Sequence, residues 1–404
     1  MKGIFMETKS AMIYKDLYYI GVNDRSTPLF ENMWPLDNGV TYNSYIFTGK
    51  KNIILDLVSS IKFDDYLENI RNIIGEKPID YVIINHLEPD HSSCIIQFLN
   101  VYPDVKFIGN KKTLEFLGYM YQIDTSKMQV VADGESLTLG DRTLTFYTTP
   151  MVHWPESMVT YEEATHTLFS QDAFGGFGAL DGSVFDDELN WNFHEFDTRR
   201  YYTNIVGKFS SQVQVALEKL APLKIDVICP IHGVVWRKNP AKIVELYDSL
   251  SKYDTKEGCV IVYGSMYGHA ASMAEHFGKY LASFGIKNVK IYDVSRTHPS
   301  YILTDIWKYK GLALASCSYN NGLYPPMQNL MDIVASNKLK NHTLCVFGTY
   351  GWSGGGVKNL VKLPELGGKY DFIDYTVEAR FAAKKEDYEN LKKLAGMMAE
   401  KVKA

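Results

Sequence analysis

Four side chains that can bind a metal lie within six consecutive residues. The segment NHLEPDHSSC contains His86, Glu88, Asp90 and His91, and it follows the apolar, strand-like run YVII. In an extended loop, alternate side chains project to one side, so His86 and Glu88 can bind one metal while the following turn directs Asp90 and His91 to another. Two adjacent metals need about seven protein ligands and a bridge. The segment therefore predicts one part of a binuclear centre.

Three further candidate ligands follow other β-type runs. They are His153 in TTPMVHWPESM, Asp172 in TLFSQDAFGG and His232 in VICPIHGVVW. Because all three stand at predicted strand ends, they suit a binuclear site on the rim of a sandwich. Glu88 adds an anionic oxygen ligand, which matches iron better than neutral imidazole does. With Asp172 as the bridge, the set is interpreted as a non-haem di-iron centre.

The spacing H-x-E-x-D-H, followed by H, D and H, resembles the metallo-β-lactamase superfamily, whose hydrolases usually have H-x-H-x-D-H and bind zinc. With glutamate at the second position, the front half is more specifically similar to the lactamase-like domain of flavodiiron proteins, also called A-type flavoproteins. That resemblance implies two iron sites bridged by Asp172. One would contain His86, Glu88 and His153, and the other Asp90, His91 and His232.

Other parts of the front half match the same family. The segment GVTYNSY, residues 39–45, is similar to the family's G-x-x-Y-N-x-Y, and HWP follows the third histidine. Tyr202 in RRYYTNIV matches a tyrosine near the family's metals and is predicted to hydrogen-bond a bound oxygen or nitrogen species. Asp56 in IILDLV matches the superfamily's strand-end aspartate and is expected to orient a ligand. The segment GALDGSVFDDELN, residues 178–190, receives no role.

A phosphate site is predicted where the strand CVIVYG is followed by SMYGHA and an amphipathic helix. A hydroxyl, a glycine and exposed N–H groups then meet at a helix N-terminus. The segment has neither the G-K-[ST] of a triphosphate loop nor the G-x-G-x-x-G of a dinucleotide fold, so a single phosphate monoester fits best. Two later strand ends carry glycine- and aromatic-rich loops that suit a planar isoalloxazine ring. The predicted cofactor is FMN.

This half resembles flavodoxin from about Gly258 to the C-terminus, and the resemblance implies three flavin-binding segments. The phosphate would be bound by Ser265, Met266, Tyr267, Gly268, His269 and Ala270. The ring would be flanked by Ser316, Cys317, Ser318, Tyr319 and Asn320, and by Gly348, Thr349, Tyr350, Gly351 and Trp352. The family usually has Thr or Ser at positions 269 and 270, so these two residues are expected to bind through their backbone amides.

The elements that must position these residues divide the chain into two α/β parts. Over the first 250 residues, short β-type runs with a few helices predict a two-sheet sandwich, and the family resemblance makes it a metallo-β-lactamase-like αββα sandwich. From Gly258, five strands alternate with helices, which predicts a flavodoxin-like, doubly wound parallel sheet with its ligand site at the C-terminal strand ends. The boundary is predicted in the polar segment SKYDTKEG, giving domains 1–254 and 255–404.

Composition excludes several classes of partner. The 42 basic and 47 acidic side chains form no long run of one sign, which argues against nucleic acid and anionic membranes. Charges interrupt every apolar run near the N-terminus, and no 18-residue apolar segment follows, so neither a secretory signal nor a membrane span is expected. The cytoplasm is the expected location. The five cysteines are scattered without a C-x-x-C pair and are expected to be reduced and buried.

A flavin and a di-iron site on one chain predict an internal electron relay. The family resemblance implies reduction of O2 to water, of NO to N2O, or of both, with electrons passed from FMN. It also implies a head-to-tail homodimer, or a dimer of dimers, that places the FMN of one chain beside the irons of another. An external donor is expected, with rubredoxin first and a reduced deazaflavin or an NADH-linked reductase as others.

Two rival interpretations stay open at this point. A zinc-dependent hydrolase of the metallo-β-lactamase superfamily with an attached flavodoxin domain would be indifferent to the redox state of the flavin. A pure electron carrier would keep the flavin and leave the metal site empty. The metal content of the protein distinguishes all three, whereas the sequence does not rank O2 and NO as substrates.

Overall fold

The computed structural model describes residues 10–404, which form two compact units that divide between Asp248 and Ser249. Residues 1–9 of the predicted first domain lie outside the described residues. That residues 1–254 and 255–404 fold as separate domains stays a prediction.

The first unit is a sandwich of two β-sheets. One sheet has seven strands in the order β1-β2-β7-β8-β9-β10-β11, and the other has five in the order β12 to β16. The strands are β1 (Ala11–Tyr14), β2 (Leu17–Tyr19), β3 (Val22–Asp24), β4 (Leu29–Phe30), β5 (Trp34–Pro35), β6 (Val40–Tyr42), β7 (Tyr45–Phe47), β8 (Ile53–Leu55), β9 (Tyr81–Ile83), β10 (Lys106–Gly109), β11 (Gln129–Val130), β12 (Ser136–Leu139), β13 (Arg142–Thr148), β14 (Met158–Glu162), β15 (Thr167–Gln171) and β16 (Val227–Pro230).

The helices of the first unit all follow its eighth strand, and the last of them continues three residues past the division after Asp248. They are α1 (Phe63–Ile74), α2 (Pro89–Ser92), α3 (Ile95–Val101), α4 (Lys111–Tyr121), α5 (Trp191–Tyr201), a π-helix (Tyr202–Val206), α6 (Ser210–Leu220) and α7 (Pro240–Ser251), with short 3-10 helices at Ser60–Lys62, Thr125–Lys127 and Gly207–Phe209. The longest of the early helices, α1, shows why the sequence forms them. It buries Phe63, Tyr66, Ile70 and Ile74, which are spaced three and four residues apart and so lie on one face.

The two sheets share one hydrophobic core. Phe169 of β15 packs edge to face against Tyr45 and Phe47 of β7, with ring centroids 5.5 and 5.4 Å apart. Such edge-to-face pairs add to the free energy gained by burying the rings. The predicted lactamase-like sandwich is confirmed.

Parallel pairing brings the candidate ligands to one edge of this sandwich. Strands β8 and β9 are parallel, so Asp56 and His86 follow them at the same edge. Strands β15 and β16 are also parallel, so Asp172 and His232 leave the second sheet together. The connection between β13 and β14 adds His153. Residues that are far apart in sequence therefore meet because neighbouring strands end side by side.

The second unit is a doubly wound sheet with the strand order β18-β17-β19-β21-β22, and these neighbours are all parallel. This order is that of flavodoxin-like folds, as predicted. Its strands are β17 (Lys256–Gly264), β18 (Val289–Asp293), β19 (Tyr309–Tyr319), β20 (Gly322–Leu323), β21 (His342–Tyr350), β22 (Tyr370–Phe372) and β23 (Val377–Arg380), and its helices are α8 (His269–Ser283), α9 (Pro299–Lys308), α10 (Pro325–Ser336), α11 (Gly356–Leu360), α12 (Leu363–Leu366) and α13 (Lys385–Lys403).

Both faces of this sheet are buried. On β17, Ile261 belongs to a core formed with Met273 of α8 and Leu394 of α13. Its neighbours Val260 and Val262 point to the opposite face, since side chains alternate along a strand, and both are also fully buried. Burial on both faces explains why the strands of this half are continuous apolar runs.

The last strand differs from its prediction. The run YDFIDYTVEA was expected to form one strand, but the structure divides it into β22 and β23, which both pair with β21. A tight turn in which Tyr375 N–H donates to the Ile373 carbonyl, 2.7 Å away, interrupts the run. The run contains no glycine or proline, so its sequence gives no sign of the turn that divides the strand.

Two expectations from composition can be compared with the structure. All five cysteines are free and buried. Among residues 10–404, no helix combines the length and the apolar character that a membrane span requires.

Candidate metal centre and flavin pocket

The seven predicted metal ligands lie in two adjoining groups at the sandwich edge. Within each group, one ligand atom from every member lies within 4.8 Å of all the others. The first group contains His86, Glu88, His153 and Asp172, and the second contains Asp90, His91 and His232.

The segment after β9 supplies four of these side chains because an extended turn leads directly into α2. Glu88 has extended backbone angles and precedes the helix, whereas Asp90 and His91 lie within its single turn. Pro89 begins the helix, where its missing N–H costs nothing. The Ser92 hydroxyl donates to the carbonyls of Leu87 and Glu88, 2.7 and 2.9 Å away, and so closes the turn.

Asp172 lies between the two groups. Its Oδ2 is 2.9 Å from His86 Nε2 and 3.2 Å from His153 Nε2, both in the first group. Its Oδ1 points to the second group and is 3.6 Å from His232 Nε2. A carboxylate with one oxygen toward each group has the placement that a bridging ligand needs.

The remaining distances complete both groups. Glu88 Oε2 is 3.3 Å from His86 Nε2 and 3.0 Å from His153 Nε2. In the second group, Asp90 Oδ2 is 3.2 Å from the Nε2 atoms of both His91 and His232, and these two nitrogens are 2.9 Å apart.

Hydrogen bonds from the outer ring nitrogens orient two of the histidines. Nδ1 of His86 is 2.9 Å from Glu156 Oε1, and Nδ1 of His232 is 2.6 Å from the Thr41 carbonyl. An acceptor beside Nδ1 places the proton there and turns the Nε2 lone pair toward the centre. Sequence reasoning missed both partners, although Glu156 follows His153 by three residues and Thr41 lies in GVTYNSY.

Asp56 acts on the backbone of the ligand segment. Its Oδ1 accepts from Asn85 N at 2.7 Å and from His86 N at 3.2 Å, and its Oδ2 accepts from Asn85 Nδ2 at 2.9 Å. These bonds join the end of β8 to the residues that follow β9. The expected orienting contact is therefore made through the main chain of His86.

The buried polar atoms fit metal ions. Within the described residues, both carboxylate oxygens of Asp90 and the Oδ2 of Asp172 are buried without a hydrogen-bond donor. Burying carboxylates in this way is costly unless a cation balances them. Four imidazoles and three carboxylates are also a suitable donor set for iron. The residues present therefore fit a pair of iron ions.

The electrostatics of the two groups agree with this fit. Burial alone would raise the pKa of Asp90, but the facing imidazoles of His91 and His232 outweigh it and hold the pKa well below its usual range. Burial alone would lower the pKa of His153, but Asp172 and Glu88 raise it to about 9. The centre thus attracts positive charge, for which protons and metal ions compete.

The tyrosine at the bridging carboxylate is Tyr201, which corrects the prediction of Tyr202. Tyr201 Oη donates to Asp172 Oδ1 over 2.6 Å, whereas the Tyr202 hydroxyl pairs with Ser210 Oγ at 2.9 Å. Burial and the charge of Asp172 raise the pKa of Tyr201 well above its usual value, so it stays a neutral donor. Consecutive helical residues point about 100° apart, and the pair YY carries no signal of which one faces inward.

A glutamate outside the predicted set also lies beside the centre. Glu31 occupies the turn between β4 and β5, and its Oε2 accepts from Trp34 Nε1 over 2.9 Å. Desolvation and the negative charge of Glu88 raise the pKa of Glu31 to about 7. The residue gives no sequence signal because it is a single acid in a hairpin turn.

The predicted flavin segments meet at a cavity of ≈ 280 Å³ that is open to solvent at the C-terminal strand ends of the second unit. Twelve of the sixteen predicted residues line it, and Gly268, Ala270, Ser316 and Gly348 do not. Gly268 has a φ of 90° immediately before α8, a conformation that favours glycine. Asn321, Ser353 and Phe381 line the cavity without having been predicted.

Two parts of the chain match known protein families. Residues 40–233 match the family described as ODP family beta lactamase, and residues 261–393 match flavodoxin. A lactamase-like unit with this ligand cluster, joined to a flavodoxin-like unit, defines a flavodiiron protein. The chain belongs to the flavodiiron family and is a flavoprotein oxidoreductase.

Three particular relatives show how far the similarity extends. The anaerobic nitric oxide reductase flavorubredoxin of Escherichia coli is 31% identical over 356 residues, which cover 87% of this chain and 74% of the relative. The rubredoxin oxygen:oxidoreductase of Desulfovibrio gigas superposes with a TM-score of 0.93 at 29% identity, covering 98% of this chain and 99% of that one. The flavodiiron protein of Giardia intestinalis has a TM-score of 0.93 at 26% identity, with 98% and 97% covered.

Proposed function

We propose that the protein reduces O2 to water, NO to N2O, or both, at two iron ions held by the first unit, with electrons relayed from FMN in the second. The observation that carries this proposal is the position of Asp172, which directs one carboxylate oxygen toward each of two convergent groups of histidines and carboxylates. The relatives support the substrate class without ranking its members, since one is named for nitric oxide and another for oxygen.

When bound, the iron pair supplies the site at which a diatomic gas is held and reduced, and FMN supplies the electrons. The chain's own residues hold the candidate ligands in place and fix their orientation. Glu156 and the Thr41 carbonyl fix the ring orientation of His86 and His232. Tyr201 holds the Asp172 carboxylate through its hydroxyl. These contacts set the geometry of the centre before any gas arrives.

The proposed partners follow the same family. We propose an external electron donor, with rubredoxin first and a reduced deazaflavin or an NADH-linked reductase as others, and a head-to-tail homodimer or a dimer of dimers. The rim of the flavin cavity supports an interface, because Tyr267 is 86% and Trp352 85% exposed. Large aromatic side chains at the surface are typical of binding sites.

Metal and flavin analysis of protein purified without air tests the proposal. We expect about two iron ions and one FMN per chain, and consumption of O2, NO or both by the chemically reduced protein. Zinc in place of iron would favour a hydrolase, and the absence of metal would favour a pure electron carrier. Comparing the two gas-consumption rates identifies the preferred substrate.

The Asp172→Ala variant tests the bridge. Loss of the carboxylate leaves the two ligand groups unconnected, so gas reduction should be abolished while FMN stays bound. Asp181→Ala is the matched control, since Asp181 is 80% exposed and pairs with Arg25 at the surface. Gas turnover retained in Asp172→Ala would remove the bridge from the mechanism.

A further inference from the structure

A second cavity lies in the first unit and has a volume of ≈ 220 Å³. The segment 178–190, to which the sequence analysis gives no role, supplies Asp186 and Leu189 to its lining. The other lining residues come from the start of α5 and from residues 234–242, which follow the metal ligand His232. None of the seven predicted metal ligands lines this cavity. It is therefore a different site from the candidate metal centre.

The indole N–H of Trp236, which lines this cavity, is a buried donor without a partner. Trp236 is 2% exposed, and within the described residues its Nε1 has no hydrogen-bond acceptor. Its main chain is fixed against Ile228 of β16 by two hydrogen bonds of 3.0 and 2.8 Å. An unsatisfied buried donor costs about 1–3 kcal/mol. A molecule bound in the cavity can supply the missing acceptor.

The charges of the lining favour a negatively charged acceptor. Lys238 and Lys242 contribute positive charge, and Lys242 Nζ lies 4.9 Å over the Trp191 ring. Asp186 is the one carboxylate in the described lining, and it already accepts from the three successive backbone N–H groups of residues 237–239, at 2.9, 3.0 and 2.8 Å. These bonds satisfy Asp186 within the protein, so a ligand meets mainly the lysine charges.

The walls of the cavity indicate that the anion is organic and small. The rings of Trp191 and Trp236 pack edge to face with centroids 5.0 Å apart, and Leu189 and Val234 add aliphatic surface. Burial lowers the pKa of His194, whose neutral imidazole offers one further N–H. Sites for drug-sized molecules have volumes of about 300–1,000 Å³, so this cavity suits a smaller molecule.

We propose that this cavity binds a small organic carboxylate. One oxygen of the ligand accepts from the Trp236 indole, and Lys238 and Lys242 balance its charge. The apolar part of the ligand packs against the Trp191 ring and Leu189. Hydrogen bonds between a charged acceptor and a buried donor are stronger than neutral ones, which favours a carboxylate over a neutral ligand of the same shape. The site is additional to the iron and flavin sites of the proposed function.

Titration of the full chain with benzoate tests the site, and benzyl alcohol is the neutral comparison of similar size. We expect benzoate at millimolar concentrations to move the indole N–H signal of Trp236 in the NMR spectrum of protein labelled at its tryptophan nitrogens. The signal is assigned by its absence from Trp236→Phe. Benzyl alcohol should bind about tenfold more weakly than benzoate in calorimetry. Equal affinity for the two compounds would overturn the assignment of a carboxylate.

Two variants separate the donor from the charge. Trp236→Phe keeps an aromatic ring and loses the N–H, so the Kd for benzoate should rise about tenfold or more. Lys242→Gln should raise it about two- to fivefold. Lys208→Gln is the matched control and should bind like the wild type, because Lys208 Nζ also lies over a ring, 5.9 Å from that of Phe209, but does not line the cavity.

Two results would overturn the proposal. The first is an unchanged Kd for benzoate in Trp236→Phe. The second is a Trp236 indole signal that benzoate does not move in the wild-type chain, a measurement that does not depend on the folding of any variant. Iron and flavin contents are measured separately, so neither result bears on the proposed function.

Discussion

Asp172 receives contacts from four different parts of the first unit. Its two oxygens face His86 and His153 on one side and His232 on the other, and Tyr201 donates to it directly. A buried hydrogen bond to a charged acceptor stabilises by about 1.5–3 kcal/mol. The phenol therefore restricts the rotation of the carboxylate on which both ligand groups depend.

The pair Tyr201 and Tyr202 provides the test at this scale. Tyr201→Phe removes the donor to Asp172, so we expect iron to remain bound and the rate of gas reduction to fall about tenfold or more. Tyr202→Phe should keep nearly the wild-type rate, because its hydroxyl bonds Ser210 instead. Iron content and stopped-flow rates of O2 and NO consumption measure both effects. A larger loss of rate in Tyr202→Phe than in Tyr201→Phe would instead support the predicted role of Tyr202 beside the metals.

At the residue scale, the sequence predicts what local patterns encode. His86 to His91 form a dense cluster, and His153, Asp172 and His232 each end a β-type run, so their convergence follows from residue type and order. Glu156 and Thr41 act through contacts between segments far apart in the chain. A lone Glu or Thr in a loop has many ordinary roles, and only the folded arrangement shows which one it has.

At the scale of elements, the adjoining ends of β8 and β9 form one hydrogen-bonded unit through Asp56. Three donors, two from Asn85 and one from the main chain of His86, converge on this carboxylate. Asp56 has a φ of 54°, a left-handed conformation that turns the chain sharply away from the sheet. The position of the ligand segment thus depends on the strand next to it.

Asp56→Ala tests this dependence. The change leaves three buried N–H groups without their acceptor, so the free energy of unfolding should fall by about 2–4 kcal/mol. Iron affinity should fall as well, because the main chain of His86 is no longer held. Urea unfolding and competition with an iron chelator measure the two effects. Asp104→Ala, a change at an exposed position, should alter neither, and an equally stable Asp56→Ala variant would contradict the argument.

Predictability at the element scale depends on how regular the pattern is. The five predicted strands of the second unit are apolar runs separated by amphipathic helices, so their presence and parallel direction follow from the sequence, whereas the short antiparallel strand β20 was not predicted. The division of the last strand into β22 and β23 does not, because it results from one hydrogen bond between Tyr375 and Ile373. The sequence RRYYTNIV likewise contains no residue pattern that predicts the π-helix after α5.

At the scale of the whole molecule, the candidate metal centre and the flavin cavity belong to different compact units. The metal ligands all precede the division after Asp248, and the flavin segments all follow it. The class of each unit is predictable from local patterns along each half. The arrangement of several chains is not, since an assembly depends on surfaces that strand and helix patterns do not encode.

Removing each cofactor in turn tests this separation. A ligand that binds only the folded state stabilises it by mass action, so chelating the iron should lower the melting temperature of the first unit by several degrees. The temperature at which FMN is released should change little. Calorimetry with simultaneous flavin fluorescence separates the two transitions. Removing FMN should have the opposite pattern, and equal shifts of both transitions would show that the units unfold as one.

The chain order of the binding residues has a consequence for biosynthesis. The last metal ligand, His232, lies before the division at residue 248, and the first flavin segment begins at Ser265. Translation proceeds from the amino terminus, and domains generally fold as units while it continues. If the first unit binds iron as proposed, a nascent chain can capture it while the ribosome is still translating the flavin-binding half, so maturation would begin with the metals and finish with the flavin.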